Sequence, residues 1–176
     1  MNNKNILLLI WLSLTFMGCD AQQATSLNNT KTNTMKKDNP HYSRTDTAKI
    51  FLTNEEWKEL LPEEVYHIAR DKGTERPFTS AFETSKDIGT YYCKACGNPL
   101  FKSDTKFDSG CGWPSFFEPI NKSSIIYKPD HSHGMNRTEV QCGRCEAHLG
   151  HVFEDGPPPT GLRYCINGVI LDFEKK

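Results

Sequence analysis

Apolar and polar positions fall into three regimes along the chain. Residues 6–17 are almost wholly apolar. Residues 20–47 are rich in Gln, Asn, Thr, Ser and Lys, with few large apolar side chains. From about residue 49 onward, apolar positions recur at short intervals. Thr53 or Asn54 can cap a helix that has Glu55 and Glu56 in its first turn and runs through Trp57 to Leu61. Pro62 suits the first turn of a second helix over 63–70, in which Val65, Ile68 and Ala69 face inward. After Gly73 the period changes. Short aromatic and β-branched runs alternate with Gly, Pro, Asn and Asp, at 90–93, 99–102, 124–128, 138–142, 151–154, 162–166 and 169–173. This pattern predicts a mainly β, mostly antiparallel domain.

The first regime reads as an address. A bilayer core of roughly 30 Å takes about 20 helical residues, so residues 6–17 are too short to cross it. After Lys4 they suit the core of a secretory signal. Gly18-Cys19 closes the run and resembles a bacterial lipoprotein cleavage box, in which the cysteine is lipidated and becomes the new N-terminus. Phe16 stands where such a box usually has leucine, and an ordinary signal peptide with an incidental Cys19 is the alternative. The second regime lacks the apolar surface to offset its ordering entropy. It reads as a disordered tether with a root-mean-square span of about 25–30 Å. The expected division is a lipoprotein-type signal over 1–18, a tether over 19–48 and a folded domain over 49–176. The protein is then exported from a bacterial cell. It is anchored to a membrane through Cys19 and faces the periplasm or the exterior, or else it is soluble in the periplasm.

A length of 176 residues fits one folded domain, and a net charge of -1 offers no basic surface for nucleic acid. The seven cysteines change the picture more. Cys93-Lys-Ala-Cys96-Gly and Cys142-Gly-Arg-Cys145 are two knuckles. Two thiolates three positions apart in a tight turn can point at one ion, and two such turns supply a tetrahedron of sulfurs, the geometry of structural zinc. A pair of disulfides is the alternative in an exported protein. His148, three residues past Cys145, is a further conceivable ligand, but four cysteines already fill the shell.

Cys111 and Cys165 remain. Cys111 lies between Gly110 and Gly112, which implies a mobile or sharply turned loop. Cys165 lies in a strand pattern where Leu162, Tyr164 and Ile166 share one face and Arg163, Cys165 and Asn167 the other. The apolar set belongs to the core. The thiol is left on a polar face beside Arg163, whose charge favours the nucleophilic thiolate. A structural disulfide is the competing explanation for the pair. His148-Leu-Gly-His151 and His131-Ser-His133 offer proton donors. Trp113, next to Pro114, is either core or the rigid wall of a pocket.

From about residue 53 to 173 the chain resembles the methionine-R-sulfoxide reductases, the B-type family. The resemblance rests on Phe107-Asp-Ser-Gly-Cys-Gly-Trp-Pro-Ser-Phe116, Ser132-His-Gly-Met-Asn-Arg-Thr-Glu-Val140, His148-Leu-Gly-His-Val-Phe153, Asp155-Gly-Pro157 and Arg163-Tyr-Cys-Ile-Asn167. It implies two antiparallel sheets with short N-terminal helices, and one structural zinc held by Cys93, Cys96, Cys142 and Cys145. It also implies that Cys165 is the catalytic nucleophile and Cys111 the resolving thiol. Trp113 then receives the substrate's methyl group. His148, His151 and Asn167 surround the sulfoxide oxygen, with Arg163 and Asp155 in support. Gly168 departs from the serine often found there. The implied partners are oxidised proteins and a thioredoxin-like dithiol reductant, and a monomer is expected. The rival from another class is a zinc-ribbon binding module stapled by a Cys111–Cys165 disulfide. The reductases of opposite stereochemistry have an unrelated fold that these motifs do not match.

Overall fold

The computed structural model describes residues 39–176. The apolar run ending at Cys19, the lipidation expected there and most of the expected tether lie outside the described residues. Among the described residues, no helix is long and apolar enough to cross a membrane.

Helix α1 spans Asn54–Leu60, and Thr53 caps it. The Thr53 hydroxyl accepts from the Glu56 amide, and the Glu56 carboxylate accepts from the Thr53 amide in return. Helix α2 spans Glu63–Ala69 and turns Val65, Ile68 and Ala69 inward, as their spacing predicts. Pro62 sits just before its first turn, as the N-cap. A one-turn helix, α3 (Ala81–Thr84), gave no apolar period by which to find it.

Nine strands follow: β1 Gly89–Cys93, β2 Pro99–Lys102, β3 Lys106–Phe107, β4 Ser115–Phe116, β5 Ile125–Asp130, β6 Arg137–Cys142, β7 His148–Phe153, β8 Arg163–Ile166 and β9 Leu171–Lys175. They form two antiparallel sheets, of order β2-β1-β9 and β3-β4-β8-β7-β6-β5. The mainly β fold with two antiparallel sheets is therefore as expected. The two-residue strands β3 and β4 are too short to show alternation. The final run begins as a 3-10 turn over Gly168–Ile170 before β9 starts.

Aromatic side chains join the sheets. Phe101 of β2 stacks on Phe116 of β4 with ring centroids 4.3 Å apart, and Tyr91 of β1 meets Phe116 edge-on at 5.0 Å. Tyr91, Phe101, Phe116 and Tyr164 are all buried. Each such side chain contributes roughly 1.5–3 kcal/mol through removal from water, with offset or edge contacts adding to it.

The boundary of the expected tether is corrected at its C-terminal end. Residues 41–48 pack on the domain although they carry little apolar surface. Arg144, from the second knuckle, is 4% exposed. Its guanidinium donates to the carbonyls of His41, Ser43, Ala48 and Cys96 and to the Asp46 carboxylate. Tyr42 and Arg44 both donate to Asp172 of β9. Polar bonds order this arm, so its hydrophobic content was the wrong quantity to judge it by.

Candidate active site and metal centre

The knuckles sit where the two sheets meet, Cys93 ending β1 and Cys142 ending β6. All four knuckle cysteines are buried, and their Sγ atoms lie within 4.8 Å of one another. Cys93 Sγ is 3.8 Å from Cys145 Sγ, and Cys96 Sγ is 3.6 Å from Cys142 Sγ. A tetrahedral ion with metal–sulfur bonds of about 2.3 Å requires sulfurs about 3.8 Å apart, whereas a disulfide requires about 2.05 Å. The contacts also cross between knuckles. The donor set fits one four-coordinate metal and does not fit disulfides. The Arg144 amide and the Asn98 side-chain amide both approach Cys142 Sγ, at 3.4 and 3.6 Å, as donors suited to a thiolate. His148 is no part of this set, because its ring points at Glu139.

The second pair of sulfurs lies in the large sheet. Cys165, in β8, is flanked by Ser115 of β4 and His151 of β7, its register partners on either side. Residues opposite one another in an antiparallel pair project to the same face. Cys111 arrives from the β3–β4 connection. Gly110 and Gly112 adopt φ of 68° and 91°, left-handed backbone that favours glycine, and this turns the loop back over the sheet. The result is a Cys111 Sγ to Cys165 Sγ distance of 3.6 Å. The thiols are free and half-buried.

Beside Cys165 opens a cleft of about 140 Å³, lined by Thr74, Trp113, Arg137, Gly150, His151, Phe153, Cys165 and Asn167. A bulge in β7 brings both histidines to this face. Val140 pairs with Gly150, but the next residue, Gln141, pairs with His148, so Leu149 is skipped. His148 and His151 are three apart in sequence, which an unbroken strand would send to opposite faces. With the bulge their rings stand 5.5 Å apart.

The two histidines have different surroundings. His151 Nε2 lies 2.7 Å from Asp130 Oδ2, which also accepts from Arg137 at 2.7 Å. Donors from Ser132, and then His151 and Arg137, hold the Asp130 carboxyl far below the usual carboxylate range. It is thus an acceptor, and His151 Nε2 carries the proton. His148 is 3% exposed, and its Nδ1 lies 2.7 Å from the buried Glu139 carboxylate, which also pairs with Lys72 at 2.8 Å. Burial lowers the His148 pKa against the pull of Glu139.

A family model described as the SelR domain matches residues 61–175, which contain all of these groups. A peptide methionine sulfoxide reductase MsrB from Pseudomonas putida (strain W619) is 62% identical over 128 residues, 73% of this chain and 96% of the relative. The MsrB of Pseudomonas syringae pv. syringae (strain B728a) is 60% identical over 124 residues, 70% of this chain and 95% of the relative. That of Agrobacterium fabrum is 56% identical over 128 residues, 73% and 95% respectively. The chain belongs to the MsrB family.

Of the residues singled out by resemblance to MsrB proteins, Cys165, Trp113, His151 and Asn167 line the cleft. Cys111 touches Cys165, and His148 stands behind His151. Asn167 is largely engaged by the protein itself, donating to the Leu149 carbonyl at 3.0 Å and accepting from the Glu75 amide at 3.0 Å. Arg163 forms a two-pronged pair with Asp155, both bonds 2.8 Å, and lies over the Phe153 ring. Its charge does favour the Cys165 thiolate. Burial and the neighbouring Cys111 outweigh it, however, and the Cys165 thiol is pushed up to about 12. Gly168 has a packing reason: a Cβ there would stand 1.9 Å from the Ser80 hydroxyl.

Sequence reasoning missed Asp130, Arg137, Glu139, Lys72 and Glu75. Glu75 accepts from Trp113 Nε1 through its carbonyl and from the Gly168 and Val169 amides through its carboxylate, so it fixes the indole against the cleft. Asp130, Arg137 and Glu139 were within reach of motif reading, because the matched segment Ser132–Val140 and its flank contain them.

Proposed function

We propose that this chain reduces peptide-bound methionine-R-sulfoxide to methionine by way of a Cys165 sulfenic acid and a Cys111–Cys165 disulfide. The observation that carries this reading is the 3.6 Å sulfur pair at the edge of a cleft walled by Trp113 and Phe153 and supplied with His151. An apolar wall suits a thioether methyl group, and an imidazole suits a sulfoxide oxygen. The peptide methionine sulfoxide reductase name of the relatives supports the substrate class.

The proton inventory supports the same sequence of steps. Attack of Cys165 sulfur on the sulfoxide sulfur moves the oxygen, with one proton, onto Cys165 and releases the thioether. The proton lost by the Cys165 thiol equals the proton gained by the oxygen. His151, with Nε2 held by Asp130, presents Nδ1 as the relay. Cys111 then attacks the sulfenic sulfur, and an external dithiol of thioredoxin type reduces the disulfide by exchange.

The metal is zinc, one per chain, bound by Cys93, Cys96, Cys142 and Cys145. When bound it supplies a crosslink between the sheets and no chemistry at the cleft. Export with lipidation at Cys19 is part of the same proposal, supported by the apolar run and Gly18-Cys19; Cys19→Ala should release the protein from membranes or leave it uncleaved.

Turnover on separated R and S epimers of a methionine sulfoxide peptide, with a dithiol reductant, tests the activity. The R epimer should be consumed and the S epimer essentially ignored; equal rates would sink the assignment. Zinc-dependent capture of a macromolecule without turnover would favour the zinc-ribbon binding module instead.

A further inference from the structure

Cys111 Sγ sits against two serine hydroxyls. Ser109 Oγ donates to it at 3.0 Å, Ser115 Oγ lies 3.5 Å away, and the two oxygens are 2.7 Å apart. Ser115 is 1% exposed and faces Cys165 across the β4–β8 pairing. Each hydroxyl has one proton to give. Ser109 gives its proton to the sulfur, and Ser115 has two acceptors for its own, Ser109 Oγ and the Trp113 carbonyl at 3.2 Å; when it donates to Ser109, the chain strengthens the bond to Cys111. A neutral thiol has its own proton to place, and the Trp113 carbonyl at 3.7 Å can take it. A hydroxyl donating at 3.0 Å favours the sulfur as a thiolate, the stronger acceptor.

We propose that Ser109 and Ser115 are positioning residues that keep Cys111 as a ready thiolate, so that the disulfide closes as soon as the Cys165 sulfenic acid forms. The inference rests on Cys111 being the resolving thiol. The step is balanced: Cys111 S⁻ attacks the Cys165 sulfur, the S–S bond forms, the S–O bond breaks, and hydroxide departs to become water. Cys111 is oxidised and the sulfenic sulfur reduced.

The surrounding charges fit this assignment. Cys165 and Arg163 face Cys111 from β8, His151 lies beyond Cys165 on β7, and Asp108 lies in the loop itself. Glu75 and Arg76 lie on the segment packed against Trp113 and Gly112, where the Glu75 carboxylate is taken up by the Gly168 and Val169 amides. Burial pushes the Cys111 thiol up, and the hydroxyls of Ser109 and Ser115, with the other contacts of the loop, bring it below its ordinary value. A ready thiolate also protects the enzyme. A lingering sulfenic acid goes on to sulfinic acid in excess oxidant, a change with few routes of repair.

The test separates the two steps in the full-length protein. After mixing with one equivalent of a peptide methionine-R-sulfoxide, methionine release and disulfide closure are followed by rapid quench and mass. Ser109→Ala and Ser115→Ala should still release one methionine per chain. Closure should lag, and a dimedone reagent should trap the Cys165 sulfenic acid. At a pH below the Cys111 pKa, each unit by which that pKa rises removes tenfold of its thiolate but returns about threefold in intrinsic nucleophilicity, so closure measured there should slow about threefold per unit. Ser109→Thr, which keeps the hydroxyl, should restore closure. Independently of turnover, the pH midpoint for alkylation of Cys111 by iodoacetamide, read on the Cys165→Ser background, should move up when Ser109 becomes Ala. Unchanged closure and an unchanged midpoint in both alanine variants would overturn the proposal. Absence of any methionine burst in the wild type would overturn the reading of Cys165, while the alkylation midpoint would still decide the role of the serines.

Discussion

Cys111 and Cys165 touch, yet the proposed chemistry uses them at different times, and single substitutions separate them. Cys165→Ser should abolish every turnover, because a serine hydroxyl ionises far too weakly to replace a thiolate. Cys111→Ser should release one methionine per chain and stall, as quantified by methionine per enzyme in the absence of reductant. Identical behaviour of the two variants would support a static disulfide. A second prediction concerns Glu139, which is 2% exposed between Lys72 and His148. Burial opposes its ionisation, but Lys72, Gln141 and His148 outweigh burial and hold its pKa below the ordinary 4.5. A carboxylate depressed in the folded state contributes stability above its unfolded pKa, and that contribution is lost as pH falls through the folded value. Wild type should therefore exceed Glu139→Gln in denaturant midpoint at neutral pH, and the gap should narrow as pH drops below about 4.5; a gap independent of pH would contradict this. The cysteines were legible from spacing because metal and redox chemistry constrain their number. Glu75 and Lys72 were not, because each acts through partners far along the chain, and a lone carboxylate or lysine in sequence carries no sign of it.

The strands announce themselves by alternation, and the sequence placed most of the longer ones within a few residues. What alternation cannot show is a skipped residue. The predicted strand at 151–154 begins three residues earlier in the structure, and its bulge is what turns His148 and His151 to one face. Beside the bulge, Gly150 lets β7 approach β8 closely: an added Cβ would stand 2.0 Å from the Cys165 carbonyl oxygen. Gly150→Ala should push β7 away from β8 at the position of Cys165. Since misplacement by about 1 Å can cost 10²-fold in rate, kcat should fall by roughly that factor. Stability should fall by about 1–3 kcal/mol, as for other forced overpacking. Chemical denaturation and steady-state kinetics would check both, and wild-type kinetics in this variant would mean that the close approach of β7 to β8 does not set the cleft. The arm over 41–48 eluded composition for the opposite reason: Arg144 holds it through carbonyls, and every residue has one.

At the scale of the whole molecule, the knuckles join three parts. Cys93 closes a strand of the small sheet, Cys142 closes a strand of the large one, and Arg144 between Cys142 and Cys145 holds residues 41–48. Loss of the metal would leave four buried thiols within 4.8 Å with no common partner, and it would loosen the carbonyl cage around Arg144. Zinc contributes about 10–16 kcal/mol to folding in small finger peptides, which have almost no core of their own. Here the Tyr91–Phe101–Phe116–Tyr164 cluster joins the same two sheets without the ion, so metal removal should weaken the domain without erasing its strands. Even a loss of about 5 kcal/mol would lower Tm by roughly 10–20 °C for a domain of this size. Cys142→Ser, or exhaustive chelation, should produce such a fall with β-type far-ultraviolet dichroism retained at low temperature. The first backbone to become cleavable by protease should be the arm at 41–48, ahead of the strands around Cys165. Metal analysis should give one zinc per wild-type chain and less than one in the variant. If the protein is metal-free, stable and active as purified, the knuckles are not the crosslink, and the aromatic cluster alone must hold the two sheets in register at the cleft.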